Sequence, residues 1–227
     1  MIYGTKTGKR YADTSFDTFE VFPSNRKAIE ACKRVATGDS DGVVLCGPVG
    51  TGKSHLLIST AREFDRLRSY TPEEGNISGE PMVKVPPIAE LLERASEAEV
   101  DLTAPYLTRA EISRRTRVEY WMILDLAKAL RADALDGGRL TEHCMQSDLL
   151  LLDDLGREKL TDFVFQEFER IIDFRYRNML PIAIATNMDP KGIMKQYDDH
   201  TWSRWAQSCE IVEVLGKDYR LRRHDED

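Results

Sequence analysis

The sequence has little of what marks exported, metal-stapled or membrane-embedded chains. Its 227 residues carry four cysteines, Cys32, Cys46, Cys144 and Cys209, far apart and with no C-x-x-C pair. None of the four histidines, His55, His143, His200 and His224, has another histidine one helical turn away. A structural zinc site needs about four convergent ligands, usually in close-spaced pairs, so this spacing argues against one. The thiols read instead as small buried hydrophobes. The longest apolar runs, 149–152 and 179–185, fall far short of the roughly 20 residues that cross a bilayer. Residues 1–10 are polar and basic with no apolar stretch of the kind that opens a signal peptide. The expected location is therefore cytoplasmic, with no membrane partner. An excess of positive charge is also missing. Lys and Arg total 32 against 39 Asp and Glu, a net charge of −7, which excludes coating duplex DNA by bulk charge but leaves room for a local basic groove.

What is present describes one globular α/β domain. Hydrophobic residues make up 41% and charged residues 31%, with no internal repeat and no low-complexity segment. Ser24 or Asn25 can cap a first helix, with Ala28, Ile29, Cys32, Val35 and Ala36 on its apolar face and Gly38 at its end. Residues 42–46, 82–85, 149–152, 181–186 and 211–215 read as strands, and 53–68, 88–97, 163–178 and most of 190–207 as helices. Residues 69–81 read as an exposed loop. A capping box of Thr108 and Glu111 predicts a long helix running to about 135, stopped by Gly137-Gly138. Strands that are apolar throughout and alternate with helices predict a five-stranded parallel sheet covered on both faces. The division expected is a short tail at 1–12, one domain at 13–222 with a helical insertion at about 100–145, and an acidic tail at 223–227.

The sharpest signal is Gly47-Pro48-Val49-Gly50-Thr51-Gly52-Lys53-Ser54, a full G-x-x-x-x-G-K-[ST] match followed by His55. It lies where it must, after an apolar strand and before an amphipathic helix. Glycines let the backbone curl so that successive N–H groups point at phosphate oxygens, and the helix N-terminus adds partial positive charge. Lys53 would reach the β- and γ-phosphates of ATP, and the Ser54 hydroxyl would ligate Mg²⁺. A second signal is Asp153-Asp154 at the end of the leucine run 149–152. Ligands of parallel sheets sit at the C-terminal ends of the strands, and a buried carboxylate needs a cation or donors. Asp153 is assigned to the Mg²⁺ shell and Asp154 to orienting or deprotonating the attacking water. Alternatively, Asp154 only supports the turn Asp154-Leu155-Gly156. Asn187, at the tip of the strand 181–186, would emerge on the same edge. Its amide can donate to the γ-phosphate and accept from the lytic water; the alternative is a turn residue before Asp189-Pro190.

These elements, in this order, resemble the AAA+ ATPases. The words Phe16-Asp17-Thr18-Phe19-Glu20-Val21, the Gly47–His55 block, Leu152-Asp153-Asp154-Leu155-Gly156 and Phe174-Arg175-Tyr176-Arg177 narrow the resemblance to the DnaC/IstB group. It runs from about Tyr11 to Arg222. It implies a P-loop NTPase core with a five-stranded parallel sheet and no C-terminal helical lid, and ATP bound between protomers of a homo-oligomer. It also implies binding of single-stranded DNA and a partner that is a replicative helicase or a transposase. Lys53 and Ser54 match the Walker A lysine and Mg²⁺ ligand, Asp153 and Asp154 match Walker B, and Asn187 matches sensor 1. Arg204, in Trp202-Ser203-Arg204-Trp205, is similar to the arginine finger that reaches a neighbour's γ-phosphate; the alternative is a surface arginine stacked on Trp202 or Trp205. Loaders of this group carry an N-terminal helicase-binding domain, whereas about ten residues precede the core here. Arg220 stands where a nucleotide contact is conceivable without a lid.

Arg109, Arg114, Arg115 and Arg117 cluster ahead of Tyr120 and Trp121. Arginines for phosphates and aromatics for stacked bases are the chemistry of single-strand binding. Equally, Val118, Trp121, Met122, Leu124 and Leu130 can form a core-facing stripe with the arginines on a solvated face. The function expected is an ATP-hydrolysing helicase-loader-like factor in DNA replication that assembles on single-stranded DNA. The alternatives are an IstB-like transposition helper, or an ATP-gated oligomeric scaffold with negligible turnover.

Overall fold

A strand that is buried at nearly every position needs both faces of its sheet covered. Three strands here meet that condition: β2 (Gly42–Cys46), β4 (Leu149–Leu155) and β5 (Ile182–Thr186), in which every residue but Asp154 is buried. The structure, a computed structural model, describes residues 2–68, 116–134, 138–156, 161–197, 199–216 and 218–219. Three further strands, β1 (Ile2–Gly4), β3 (Val118–Met122) and β6 (Glu210–Glu213), complete a parallel sheet in the order β1-β3-β4-β5-β2-β6.

Side chains alternate across the sheet. Val43, Leu45, Val118, Tyr120, Leu149, Leu151, Ala183 and Ala185 face one cluster, closed by α1 (Arg26–Thr37) and α2 (Lys53–Arg68). Val44, Cys46, Leu150, Leu152, Ile182 and Ile184 face the other. That face is closed by α3 (Ile123–Asp133), α4 (Leu140–Gln146), α5 (Asp162–Arg177), α6 (Pro190–Gln196) and α7 (Asp199–Ser208). All four cysteines are reduced and buried, as small hydrophobes would be. Gly38, at φ 81°, ends α1, as the sequence implied. Asn25 does stand at the N-cap of that helix, but its side chain bonds backwards, accepting from Phe22 N at 2.8 Å and donating to Glu20 O at 2.9 Å.

The structure corrects three expectations. Among the described residues the sheet has six strands, not five. Part of the long helix expected to run to about 135 is not helical: 118–122 is a strand hydrogen-bonded between β1 and β4, and a helix starts at Ile123. The reason lies in the burial pattern, since Val118 and Tyr120 pack on one face of the sheet and Trp121 on the other, a period of two that a helix cannot satisfy. Ile2–Gly4, read as part of a tail, is an edge strand beside β3. The strand expected at 82–85, the helix at 88–97, the loop at 69–81, the Thr108/Glu111 box, Gly137 and the acidic tail lie outside the described residues.

One buried cation joins the start of β5 to the end of α4. Arg175, 1% exposed, donates through Nη1 to the carbonyls of Cys144, Met145 and Ser147 at 2.8–3.1 Å, and through Nη2 to Pro181 O at 2.6 Å. Removing it strands several buried carbonyls at once. Arg175→Met is expected to cost about 3–5 kcal/mol in urea unfolding; a loss below about 1 kcal/mol would show that these carbonyls find other donors.

Candidate active site

The strand ends place the polar residues. β2 runs into the loop 47–52, and the loop runs directly into α2 at Lys53. Gly47 (φ 140°) and Gly50 (φ 79°) take conformations that favour glycine, and each is approached from outside. A Cβ at Gly47 would strike the Val214 carbonyl, and one at Gly50 would strike the Asp218 carboxylate. The loop braces itself, with Thr51 Oγ1 donating to Pro48 O at 3.0 Å. Lys53 is 7% exposed, and its Nζ donates to Gly47 O at 2.8 Å and Pro48 O at 2.6 Å, which holds the ammonium inside the loop. Pro48, Val49, Gly52 and Ser54 complete the curl, with Val49 half exposed.

Asp153 continues the face of β4 that carries Leu149 and Leu151, the face covered by α2. Its carboxylate thereby meets the N-terminus of α2, where Ser54 hydrogen-bonds to it. The carboxylate also accepts from Tyr120 Oη on Oδ2 at 2.7 Å and from Asp154 N on Oδ1 at 2.9 Å. Only 4% of Asp153 is exposed, and burial raises its carboxyl above the ordinary range, while the hydrogen bonds from Tyr120 and Ser54 pull it back.

The next residue breaks the strand's regularity. The β4–β5 register runs Leu152↔Ile184 and then Leu155↔Thr186, so one extra residue is accommodated on β4 at the acid pair. Asp154 takes φ 58°, a left-handed conformation uncommon for a residue with a side chain. The bulge is stitched from β5: Thr186 Oγ1 donates to Leu155 O at 2.7 Å and accepts from Met188 N at 3.1 Å. The bulge turns Asp154 towards Asn187, whose Nδ2 donates to Asp154 Oδ1 at 3.2 Å. The phosphate loop, Ser54, Asp153, Asp154 and Asn187 thus share one edge of the sheet. Asp154 does enter the turn at Gly156, and its side chain is also part of this cluster.

Two residues of the sequence reading lie elsewhere. His55 turns from the loop towards the segment before α1: its Nε2 donates to Ser15 O at 2.9 Å, and its ring meets Phe19 edge-on at 5.0 Å. Burial lowers its pKa. Its geometry is that of a brace. Arg204, on α7, forms an ion pair with Asp173 of α5 at 2.7 Å, both side chains 28% exposed, and Asp173 also binds Arg177. Arg204 lines a cleft of about 380 Å³ with Asp41 and Ile182, at the start of β2 and β5. That is the edge opposite the phosphate loop, a β2 length of about 13 Å away by strand rise. It is not stacked on Trp205 at the surface; Trp205 is buried against Phe168 and Tyr197.

Sequence reasoning offered Tyr120 as a base-stacking residue, and the structure corrects this: Tyr120 is 4% exposed and its hydroxyl serves Asp153. Trp121 is also packed against the core, its Nε1 donating to Glu119 at 3.0 Å. Arg117 is exposed just before β3; Arg109, Arg114, Arg115 and Arg220 lie outside the described residues. Sequence reasoning also missed how 214–219 follows the loop. Val214 N donates to Cys46 O at 2.7 Å and Tyr219 N to Gly50 O at 3.1 Å.

No family model matches the chain. Among curated proteins it is 24% identical over 211 residues to the chromosomal replication initiator protein DnaA of Crocosphaera subtropica, covering 92% of this chain and 36% of that one. It is 20% identical over 209 residues to the phage-like element PBSX protein XkdC of Bacillus subtilis, covering 91% of this chain and 60% of that one. The chain therefore spans about a third of the length of the initiator. Among solved structures it resembles the DnaC helicase loader, with TM-score 0.64 and 18% identity over 92% of this chain and all of that one. It also resembles DnaI, with TM-score 0.64 and 16% identity over 96% of each chain. DnaA bound to AMPPCP and single-stranded DNA gives TM-score 0.62 and 20% identity over 96% of this chain and 56% of that one. The fold is that of the DnaC, DnaI and DnaA structures, as the DnaC side of the sequence resemblance implied.

The left-handed backbone of Asp154 gives a test independent of chemistry. Asp154→Ala keeps a Cβ but loses the local hydrogen bonding that lets aspartate tolerate this conformation, and should lose about 1 kcal/mol of stability. Asp154→Gly should lose less, and the order is read by urea unfolding of both variants. Equal stability would place Asp154 in an ordinary conformation.

Proposed function

We propose that the chain binds ATP with Mg²⁺ at the edge formed by the ends of β2, β4 and β5, and hydrolyses it as part of a homo-oligomer. The observation that carries this reading is the convergence of Lys53, Ser54, Asp153, Asp154 and Asn187 at one sheet edge. The backbone N–H groups of 47–54 and the start of α2 form the cradle a triphosphate needs, and Lys53 supplies the charge within it. The hydroxyl of Ser54 and the carboxylate of Asp153 are hard oxygen donors, the kind Mg²⁺ takes, and they are neighbours. The ion, when bound, offsets charge on the β- and γ-phosphates. Asp154 accepts a proton from the attacking water, and the Asn187 amide holds that carboxylate in place and orients the water against the γ-phosphate.

Arg204 acts, in this reading, on a neighbour's nucleotide. On the edge opposite its own loop it can serve no phosphate of its own chain, and a guanidinium that forks onto γ-phosphate oxygens can be worth about 10³–10⁵ in rate. The likenesses support a partner class. DnaC is described as a helicase loader, and DnaA has been seen with AMPPCP and single-stranded DNA. We place this chain in DNA replication as a helicase-loader-like factor that assembles on single-stranded DNA, with phosphate contacts from Arg109, Arg114, Arg115 and Arg117. Arg204 held by Asp173 favours a second reading, a scaffold that binds ATP to oligomerise and turns it over negligibly.

ATP turnover with and without single-stranded DNA separates the two. Lys53→Ala should abolish tight ATP binding; unchanged affinity in the folded variant removes the phosphate-loop assignment. Asp154→Asn should bind ATP as the parent does and lower turnover at least a hundredfold, since the amide keeps the shape and loses the base. Arg204→Ala should also bind ATP but not hydrolyse it, and mixing it with Lys53→Ala should restore part of the activity. A mixed assembly pairs an intact Lys53 pocket with an intact Arg204. No recovery in demonstrated co-assemblies would mean that Arg204 does not act across the interface.

A further inference from the structure

Tyr120 bonds to Asp153 from outside both the phosphate-loop word and the acid pair. It comes from β3, whose register sets Tyr120 opposite Leu151 and Met122 opposite Asp153, so the phenol lies on the α2 face and reaches diagonally to the carboxylate. The backbone around it is fixed on both sides: its carbonyl accepts from Thr5 N at 2.7 Å, and β3 is bonded between β1 and β4. The ring is buried in the cluster with Leu149 and Leu151. In this pair the phenol hydroxyl is the donor and the carboxylate the acceptor.

Three donors therefore fix Asp153: Tyr120 Oη on Oδ2, Asp154 N on Oδ1, and the Ser54 hydroxyl. A carboxylate held at both oxygens cannot rotate about its terminal torsion, and groups that hold metal ligands from behind tune metal affinity. We propose that Tyr120 is a positioning residue for divalent-cation binding at this site, holding Asp153 in the orientation that receives the ion beside the phosphates. The proposal rests on the reading of Asp153 as a Mg²⁺ ligand. The hydroxyl also occupies one lone pair of Oδ2, and the remaining lone pairs would be the ones left to accept a cation or its water shell. A purely structural Tyr120 would instead only satisfy a buried carboxylate.

The two roles separate in a titration of AMPPCP binding against Mg²⁺, read by calorimetry on the whole chain, with Tyr120→Phe, Asp153→Asn and the double variant beside the parent. In Tyr120→Phe, affinity for AMPPCP without Mg²⁺ should stay within twofold of the parent, while the Mg²⁺ concentration at half-effect should rise about tenfold. In the Asp153→Asn background, Tyr120→Phe should add nothing. A folded Tyr120→Phe protein whose Mg²⁺ midpoint stays within twofold, while Asp153→Asn shifts it, overturns the positioning role alone. If Asp153→Asn leaves the midpoint unmoved, the underlying ligand assignment fails. Should Tyr120→Phe not fold, 3-fluorotyrosine at this position keeps ring and hydroxyl but strengthens the donor. A midpoint lowered more than twofold then supports positioning, and an unmoved or raised one refutes it.

Discussion

Asp153 is a carboxylate almost wholly removed from solvent, at the end of a strand whose four preceding residues are all leucine. A charge in such a place is costly unless donors or a cation compensate it. Its surroundings supply that compensation from three separate parts of the chain: the start of α2, the middle of β3, and the backbone of the bulge that follows. Each of those parts is held where it is by the sheet. The spacing of β3 from β4, the entry of α2 directly from the loop, and the extra residue in β4 all have to agree for this one carboxylate to be satisfied.

The same constraint explains where the chemistry can lie. A parallel sheet packed on both faces leaves the interior of β2, β4 and β5 apolar, so functional groups can emerge only at strand ends. At the C-terminal edge they form a cluster with the phosphate loop. At the opposite edge lies Arg204, held by Asp173 and placed beside Asp41 and Ile182. One chain thus carries the proposed phosphate cradle and the candidate finger on opposed edges. In the proposed reading, the active site is complete only where two copies meet.

Much of this was legible because it is local. The phosphate loop is one contiguous word between a strand and a helix, and Asp153-Asp154 follows the strand that buries it. Gly38 and the β5 tip were legible for the same reason. Other features depend on partners distant in the sequence. Nothing near Tyr120 announces Asp153, and its approach to Trp121 and a run of arginines suggested bases instead. Strand β3 was hidden because it passes without a break into α3, so an apolar segment of period two continues into one of period 3.6. Strand β1 has three residues, too few to show any period. The role of His55 as a brace depends on Ser15 and Phe19, forty and thirty-six residues earlier in the chain.

The central claim is that one sheet edge receives a nucleoside triphosphate and its cation. Hydrogen exchange of the whole chain with and without AMPPCP and Mg²⁺ tests it most directly, because it reports on backbone N–H groups rather than on turnover. The account predicts slowed exchange across Gly47–His55, at Asp153 to Gly156 and at Asn187, with the N-terminal ends of β2 and β5 unchanged at protein concentrations too low for assembly. Binding that slows exchange elsewhere and leaves the loop and the acid pair untouched would contradict it.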